Sequence, residues 1–374
     1  MRSEQRFYTS AYTLLRMWRR RPRPYGRTMQ HGSHRKTTSP QAPVPIPAAP
    51  AAGAPTVTAA VLGAVAEHAA GGPGNADRPA LIDTADGRVL TYAEFAAVVP
   101  TAAAGLSRRG VLTGDVAAVY VTCVRHLALA MHTFTAAGAV PALIPCAGIT
   151  SPDELAELLT SYEARMLITA PPLGGLAIDA ADRSYVRQVF AFGELPGTTP
   201  FGELLRGGGP LPRIDPLRDH ALIQPRPRSG GPWEHGGVGG VPDDRRERLT
   251  HADRLADLDR LAAAVPIERG DVLVGVSIGC PPATWAGLID VALLRGATFV
   301  AVTRPGTAAL LRAIETYDAT LVVVAPLTLR ALAHEEAAPP RPRGRSPRLL
   351  VAGPAPEEVV RACRRHDWTV DTLA

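Results

Sequence analysis

Lysine is nearly missing from this chain. Of 40 basic residues among 374, 39 are arginine and Lys36 is the single lysine. Chemistry that needs an ammonium group in the rest of the chain must find it elsewhere. Arginine is no free substitute, because its flat fork and longer reach change the geometry. Cysteine is scarce too. Cys123, Cys146, Cys280 and Cys363 form no CxxC pair, and no histidine stands at zinc-ligand spacing from them. That excludes a zinc finger, and the length excludes a small disulfide scaffold; buried, reduced thiols of a cytoplasmic protein are the expectation. No stretch reaches the roughly 18 uninterrupted apolar residues of a membrane span. The longest clean run, Val116–Val124, reads as a strand. Neither GxSxG nor HExxH occurs, and the glycine richness of His235–Gly240 does not meet GxGxxG spacing. The carboxylate pairs Asp243-Asp244 and Glu335-Glu336 stand in Pro/Arg-rich surroundings and read as solvated charges, so no acid/base pair and no metal site are expected. Acids are rare at the start. Residues 1–50 hold ten basic residues against Glu4 alone, net +9, so the remainder sums to −4 in a chain of net +5. The basic character belongs to the first segment, and a nucleic-acid-binding domain is not indicated.

What is present is alternation. Residues 1–55 read as a basic, proline-rich disordered tail. From Thr56 onward, apolar strand-like runs alternate with amphipathic helices. Strands are expected at Val116–Val124, Val140–Ile144, Met166–Thr169, Val189–Phe192, Ala221–Gln224, Val272–Ser277, Thr298–Val302, Thr320–Val324, Arg348–Ala352 and Trp368–Val370. Ser151-Pro152-Asp153-Glu154 starts a helix, with Ser as N-cap, Pro at the first helical position and Glu reaching back to the cap amide; Thr91-Tyr92-Ala93-Glu94 repeats the device. Leu310, Leu311, Ile314 and Tyr317 share one helical face. Such β-α-β-α order implies an α/β fold of mostly parallel sheets. The length fits two successive units, 56–215 and 216–374. Residues 225–248, with six glycines, five arginines and four prolines, interrupt the pattern between a strand and a helix, the position where α/β proteins bind ligands.

Several segments together resemble the adenylate-forming (AMP-binding) superfamily of acyl-CoA synthetases, adenylation domains and luciferases. They run in the family's order: RPALIDTADGRVLTYAEF from Arg78, AAGLSRRGVLTGDVAAVYV, AAGAVPALIP, SPDELAELLTSYEARMLIT, LTHADRL, GDVLVGVS, GATFVAV, AIETYDATLVVVAP and LLVAGPAP. The resemblance covers residues 56–374 with one ragged gap at 225–248. It implies the family's large-domain fold, ATP and Mg as cofactors, and coenzyme A or a carrier-protein thiol as acceptor of the activated acyl group. It also implies nucleotide contacts from Ser229, Gly230, Gly231, Thr250, His251, Gly353, Ala355 and Pro356, and an acyl pocket near Thr284, Trp285 and Gly287.

The departures from the family are specific. Its phosphate loop is a Ser/Thr/Gly turn followed by Pro-Lys-Gly, which brings backbone N–H groups, hydroxyls and an ammonium to the phosphates. Here Arg228-Ser229-Gly230-Gly231-Pro232 holds neither a threonine pair nor a lysine. Aligned on Gly287, Thr284 takes the place of the family's histidine, and Trp285 reads as a core residue sooner than a pocket wall. Gly353-Pro354-Ala355-Pro356 resembles the turn that packs on adenine, and the family's Tyr-Gly-x-Thr-Glu motif and small C-terminal domain are expected to be absent after it. The resulting expectation is a synthetase-like scaffold impaired in adenylation, with no catalytic residue assigned and a protein partner covering an open sheet edge. Two alternatives stay open: an active acid–thiol ligase subunit completed by another chain, and an unrelated Rossmann-like nucleotide binder.

Overall fold

The structure, a computed structural model, describes residues 55–70, 75, 77–146, 148–225, 246–276, 280, 282–303, 306–335, 338–340, 346–353 and 355–373. The expected tail, up to residue 54, lies outside the described residues. In chain order the elements begin with α1 (Val57–Ala70), β1 (Pro79–Asp83), β2 (Val89–Thr91), α2 (Tyr92–Arg108), β3 (Val116–Val119), α3 (Val124–Ala136) and β4 (Val140–Leu143). Next come α4 (Pro152–Ser161), β5 (Met166–Thr169), α5 (Gly174–Ala181), β6 (Gln188–Ala191), β7 (Thr199–Pro200), β8 (His220–Pro225), β9 (Arg246–Thr250) and α6 (His251–Ala264). The last group is β10 (Val272–Val276), α7 (Pro282–Arg295), β11 (Thr298–Val302), α8 (Thr307–Thr316), β12 (Leu321–Val324), α9 (Pro326–His334), β13 (Arg348–Ala352), α10 (Glu357–Arg365) and β14 (Thr369–Leu373).

Two seven-stranded sheets result. One has the order β7-β6-β5-β3-β4-β8-β9, the other β14-β13-β12-β10-β11-β1-β2. All neighbours pair in parallel except the hairpins β1–β2 and β8–β9. Strands buried on both faces explain the near-continuous apolar runs in the sequence. In β10, Leu273 enters the core shared by the two sheets, whereas Val274 and Val276 enter a second core beneath Leu310 and Ile314 of α8. In β3, Ala117 and Val119 face the shared core, and Val116 and Ala118 face Leu155 and Leu159 of α4. Helices α1, α2, α3 and α7 fill the space between the sheets, α4 and α5 cover one outer face, and α8, α9 and α10 the other. The product is five layers, helix–sheet–helix–sheet–helix.

Both expected capping boxes form: Ser151 and Thr91 each accept from the amide three residues on, and Glu154 and Glu94 return the bond. Two expectations change. Val116–Val124 is not one strand; pairing stops at Val119, and Val124 already opens α3. Tyr120, Val121 and Val124 are apolar because they are buried where strand gives way to helix, with Thr122 exposed between them, and composition cannot separate that from continued strand. The sheets also do not follow the division at 215/216. β1 and β2 cross into the second sheet, with β1 parallel to β11, while β8 and β9 join the first, with β8 parallel to β4. Leu81 and Ile82 are buried on opposite faces of the second sheet, so only an interior position satisfies both.

Candidate functional site

Parallel strands gather the loops that follow them at one end, and both sheets place that end on the same side. β3 leads into Cys123 and the start of α3, and the Arg125 guanidinium there reaches Asp86 Oδ2 at 2.7 Å in the turn after β1. The space between these strand ends is the crevice position at which open α/β sheets bind ligands. On its second-sheet side, Asp83 closes β1. It is 2% exposed, and its Oδ1 accepts from the Ala85 amide at 2.9 Å and the Thr303 hydroxyl at 3.3 Å. Arg125 is 5% exposed, and its Nε is buried without a partner. His126 lies flat on Phe192, ring centroids 4.2 Å apart, and burial together with the Arg125 and Arg88 charges pushes its pKa down to about 3, so it is neutral.

The residues named from the sequence fall in different places. Ser229, Gly230 and Gly231 lie outside the described residues. Gly353 closes β13 at φ +128°, which a side chain rarely permits, and Ala355 and Pro356 lead half-buried into α10. This turn stands at the crevice end of the second sheet. Thr250 and His251 stand elsewhere. Thr250 pairs with His220 at the far end of the β8–β9 hairpin, whereas the glycine-rich segment leaves from the Pro225–Arg246 end. A five-residue strand at roughly 3.4 Å per residue separates the two ends. Thr250 caps α6 in a third capping box with Asp253. His251 is 1% exposed, accepts the Val57 N–H on Nδ1 at 3.2 Å, and burial pushes its pKa down to about 4.

Trp285 is buried, edge-on to Phe299 with centroids 5.0 Å apart, and a Cβ on Gly275 of β10 would come within 2.7 Å of its ring. It wedges α7 into the sheet. A Cβ on Gly287 would meet Leu261 of α6 at 2.9 Å, so that glycine sets a helix–helix approach, and Thr284 is half-buried on the first turn of α7. All four cysteines are free, and burial pushes each thiol up, to about 11 for Cys123 and about 12 for Cys146 and Cys280.

One constellation had no sequence signature. His132 Nε2 lies 3.0 Å from Asp290 Oδ1, Arg254 donates to Asp290 Oδ2 at 3.1 Å, and Thr58 Oγ1 lies 3.2 Å from His132 Nδ1. With Thr58 donating to Nδ1 and Nε2–H donating to Asp290, the network is satisfied and the ion pair neutralised. The order hydroxyl–imidazole–carboxylate copies a hydrolytic triad, yet every member is 5% exposed or less. Buried between the sheets, these groups join α1, α3, α6 and α7 instead of meeting a substrate. Residues spread over four helices cannot announce themselves by spacing.

With this geometry in hand, residues 66–199 match the family described as AMP-binding enzyme. Acetyl-coenzyme A synthetase of Magnetococcus marinus is 37% identical over 83 residues, 22% of this chain and 13% of the synthetase. That of Rhodopirellula baltica is 34% identical over 125 residues, 31% of this chain and 18% of the synthetase. Among solved structures, apo MbtA of Mycobacterium smegmatis superposes with a TM-score of 0.64 at 23% identity, covering 83% of this chain and 55% of MbtA. A long-chain-fatty-acid-CoA ligase of Archaeoglobus fulgidus gives 0.69 at 19% identity, covering 85% and 63%. The chain thus spans little more than half of these solved proteins, and the sequence matches a smaller part of the curated ones.

Proposed function

Starting from membership of the AMP-binding, adenylate-forming superfamily, we propose that this chain is an acyl-CoA-synthetase-like scaffold that takes a nucleotide in the crevice but is impaired in adenylating a carboxylate by itself. One observation carries the reading. The segment that should neutralise the phosphates, Arg228–Pro232, has no threonine pair and no lysine, and the chain's single lysine is Lys36. Attack on an α-phosphate needs charge compensation placed before the reaction and two reactants held in line. A guanidinium does not reproduce that placement, because its flat fork and longer reach differ from those of an ammonium.

The Gly353–Pro356 turn fits an adenine contact, since a glycine at positive φ lets a flat ring approach the backbone. Ser229 to Gly231 are the loop's remaining candidates for phosphate, and Thr284 and Trp285 those for an acyl group. Thr250 and His251, committed to the helix cap and to Val57, are weaker candidates than the sequence suggested. Mg would enter with ATP, since such an ion takes one or two carboxylates and the phosphates themselves; among the described residues no three His, Cys, Asp or Glu side chains converge on a dedicated site. A protein partner along the second sheet's β14 edge, and a thiol acceptor, remain part of the proposal.

The test is carboxylate-dependent ATP–pyrophosphate exchange by the full chain, alongside ATP binding by calorimetry. Binding without exchange is expected. Exchange above background with acetate or a longer acid, or acyl-AMP release by mass spectrometry, overturns the impairment.

A further inference from the structure

The opposite end of the first sheet carries a second feature, independent of the crevice. A cleft of about 400 Å³ opens beside the starts of β6 and β7, lined by Arg109, Arg187, Gln188, Val189, Gly197 and Thr199. Its size falls within the range of small-molecule sites, roughly 300–1,000 Å³. Arg109 is the C-cap of α2. Its NH2 donates to Glu203 Oε2 at 2.9 Å, while its Nε is buried without an acceptor. Arg187 is exposed and has no carboxylate partner among the described residues.

The surroundings strengthen the charge. The Arg165 carbonyl accepts the amides of Arg187 and Gln188, and Arg108 donates to the Arg206 carbonyl. Arg109 and Arg187 line the cleft itself, with Arg108, Arg165 and Arg206 adjoining them along the chain or through main-chain hydrogen bonds, and Glu203 pairs with Arg109 and Asp115 with Arg165. The chain from residue 51 onward sums to −4, so this patch runs against the charge of its own fold.

We propose that this cleft is a binding site for a small phosphate-bearing molecule. Two guanidinium groups from different elements, with the Thr199 hydroxyl and the Gln188 amide on the same lining, offer donors in several directions. A phosphate monoester has three terminal oxygens to accept them, and a carboxylate has two. Glu203 competes for Arg109 and sets the affinity.

The experiment is calorimetric titration of the full chain with inorganic phosphate and, separately, AMP, at constant ionic strength made up with chloride. Saturable phosphate binding in the millimolar range or tighter is expected. Arg187→Gln should weaken it about tenfold, as loss of one charge-assisted contact implies. Glu203→Gln should tighten it several-fold by freeing Arg109, while Arg312→Gln, on α8 and remote from the cleft, should change nothing. Tighter binding of AMP than of phosphate, lost in Arg187→Gln, would identify a nucleotide ester as the occupant; equal affinities would identify the phosphate group alone. Because Arg187 and Glu203 lie away from the crevice, nucleotide binding that ignores both substitutions belongs to the crevice. The inference fails if phosphate does not saturate at 10-fold above the millimolar range, or if Arg187→Gln and Arg312→Gln bind alike.

Discussion

Asp290 and Gly275 show what single residues decide in this molecule. Asp290 is fully buried and neutralises Arg254. Asp290→Leu leaves that guanidinium uncompensated, and urea unfolding should report a loss of about 3–5 kcal/mol. His132→Leu should cost less, because the ion pair survives. An equal loss in the two variants would contradict the Arg254–Asp290 ion pair as the main support of the network. Gly275→Ala would place a Cβ within 2.7 Å of Trp285 and should cost about 1–3 kcal/mol by overpacking, with a changed near-UV signal. His251 links structure to pH. Its pKa falls from 6.5 to about 4 on folding, chiefly because burial disfavours the cation. The unfolded chain therefore binds the proton more readily, and stability is whole above pH 6.5 and is lost as pH falls toward 4, by on the order of 2–3 kcal/mol. Denaturation at pH 7 and pH 5 should show this fall, and His251→Asn, which keeps an acceptor for the Val57 amide, should reduce it. Apart from Trp285, these residues were not legible in the sequence for what they do. Trp285 reads from the sequence as a core residue and is buried, whereas Thr58, His132, Arg254 and Asp290 meet through tertiary packing alone.

Elements were far more legible, for physical reasons. Parallel strands buried on both faces leave unbroken aliphatic runs, so Met166–Thr169, Thr298–Val302 and Arg348–Ala352 stand in the structure as the sequence placed them. Capping boxes write a helix start in four letters, and those at Thr91 and Ser151 form. The third, at Thr250, was passed over because its returning side chain is Asp253, shorter than the usual Glu or Gln. β9 was missed as well: Arg-Glu-Arg-Leu-Thr lies at the sheet edge, where one side need not be apolar. The cap makes a clean prediction. Thr250→Ala removes the acceptor for the Asp253 amide and should cost about 1 kcal/mol. ATP binding should be untouched, because Thr250 pairs with His220 at the end of the first sheet opposite the crevice. A large loss of nucleotide affinity in this variant would restore Thr250 to the site.

At the scale of the whole molecule, the interleaved sheets govern how it folds. β1 and β2 are made early in the chain, and β1 pairs with β11 more than 200 residues later; β8 and β9 come after residue 215 and complete the first sheet beside β4. The core between the sheets is shared by α1, α2, α3 and α7, so neither sheet has a complete set of neighbours alone. A fragment of residues 56–215 would leave β4 with an open edge where β8 belongs and would expose β1, whose Leu81 and Ile82 are buried on both faces. Unpaired apolar strands of this kind aggregate. The fragment should therefore be insoluble or lack a cooperative melt, whereas the full chain should unfold with tryptophan fluorescence and far-UV circular dichroism changing together. A soluble 56–215 fragment with its own sharp transition would show that the first sheet closes without β8 and β9. The crevice would then lie between two separable units, since one wall belongs to each sheet; a single transition instead makes its geometry a property of the entire fold.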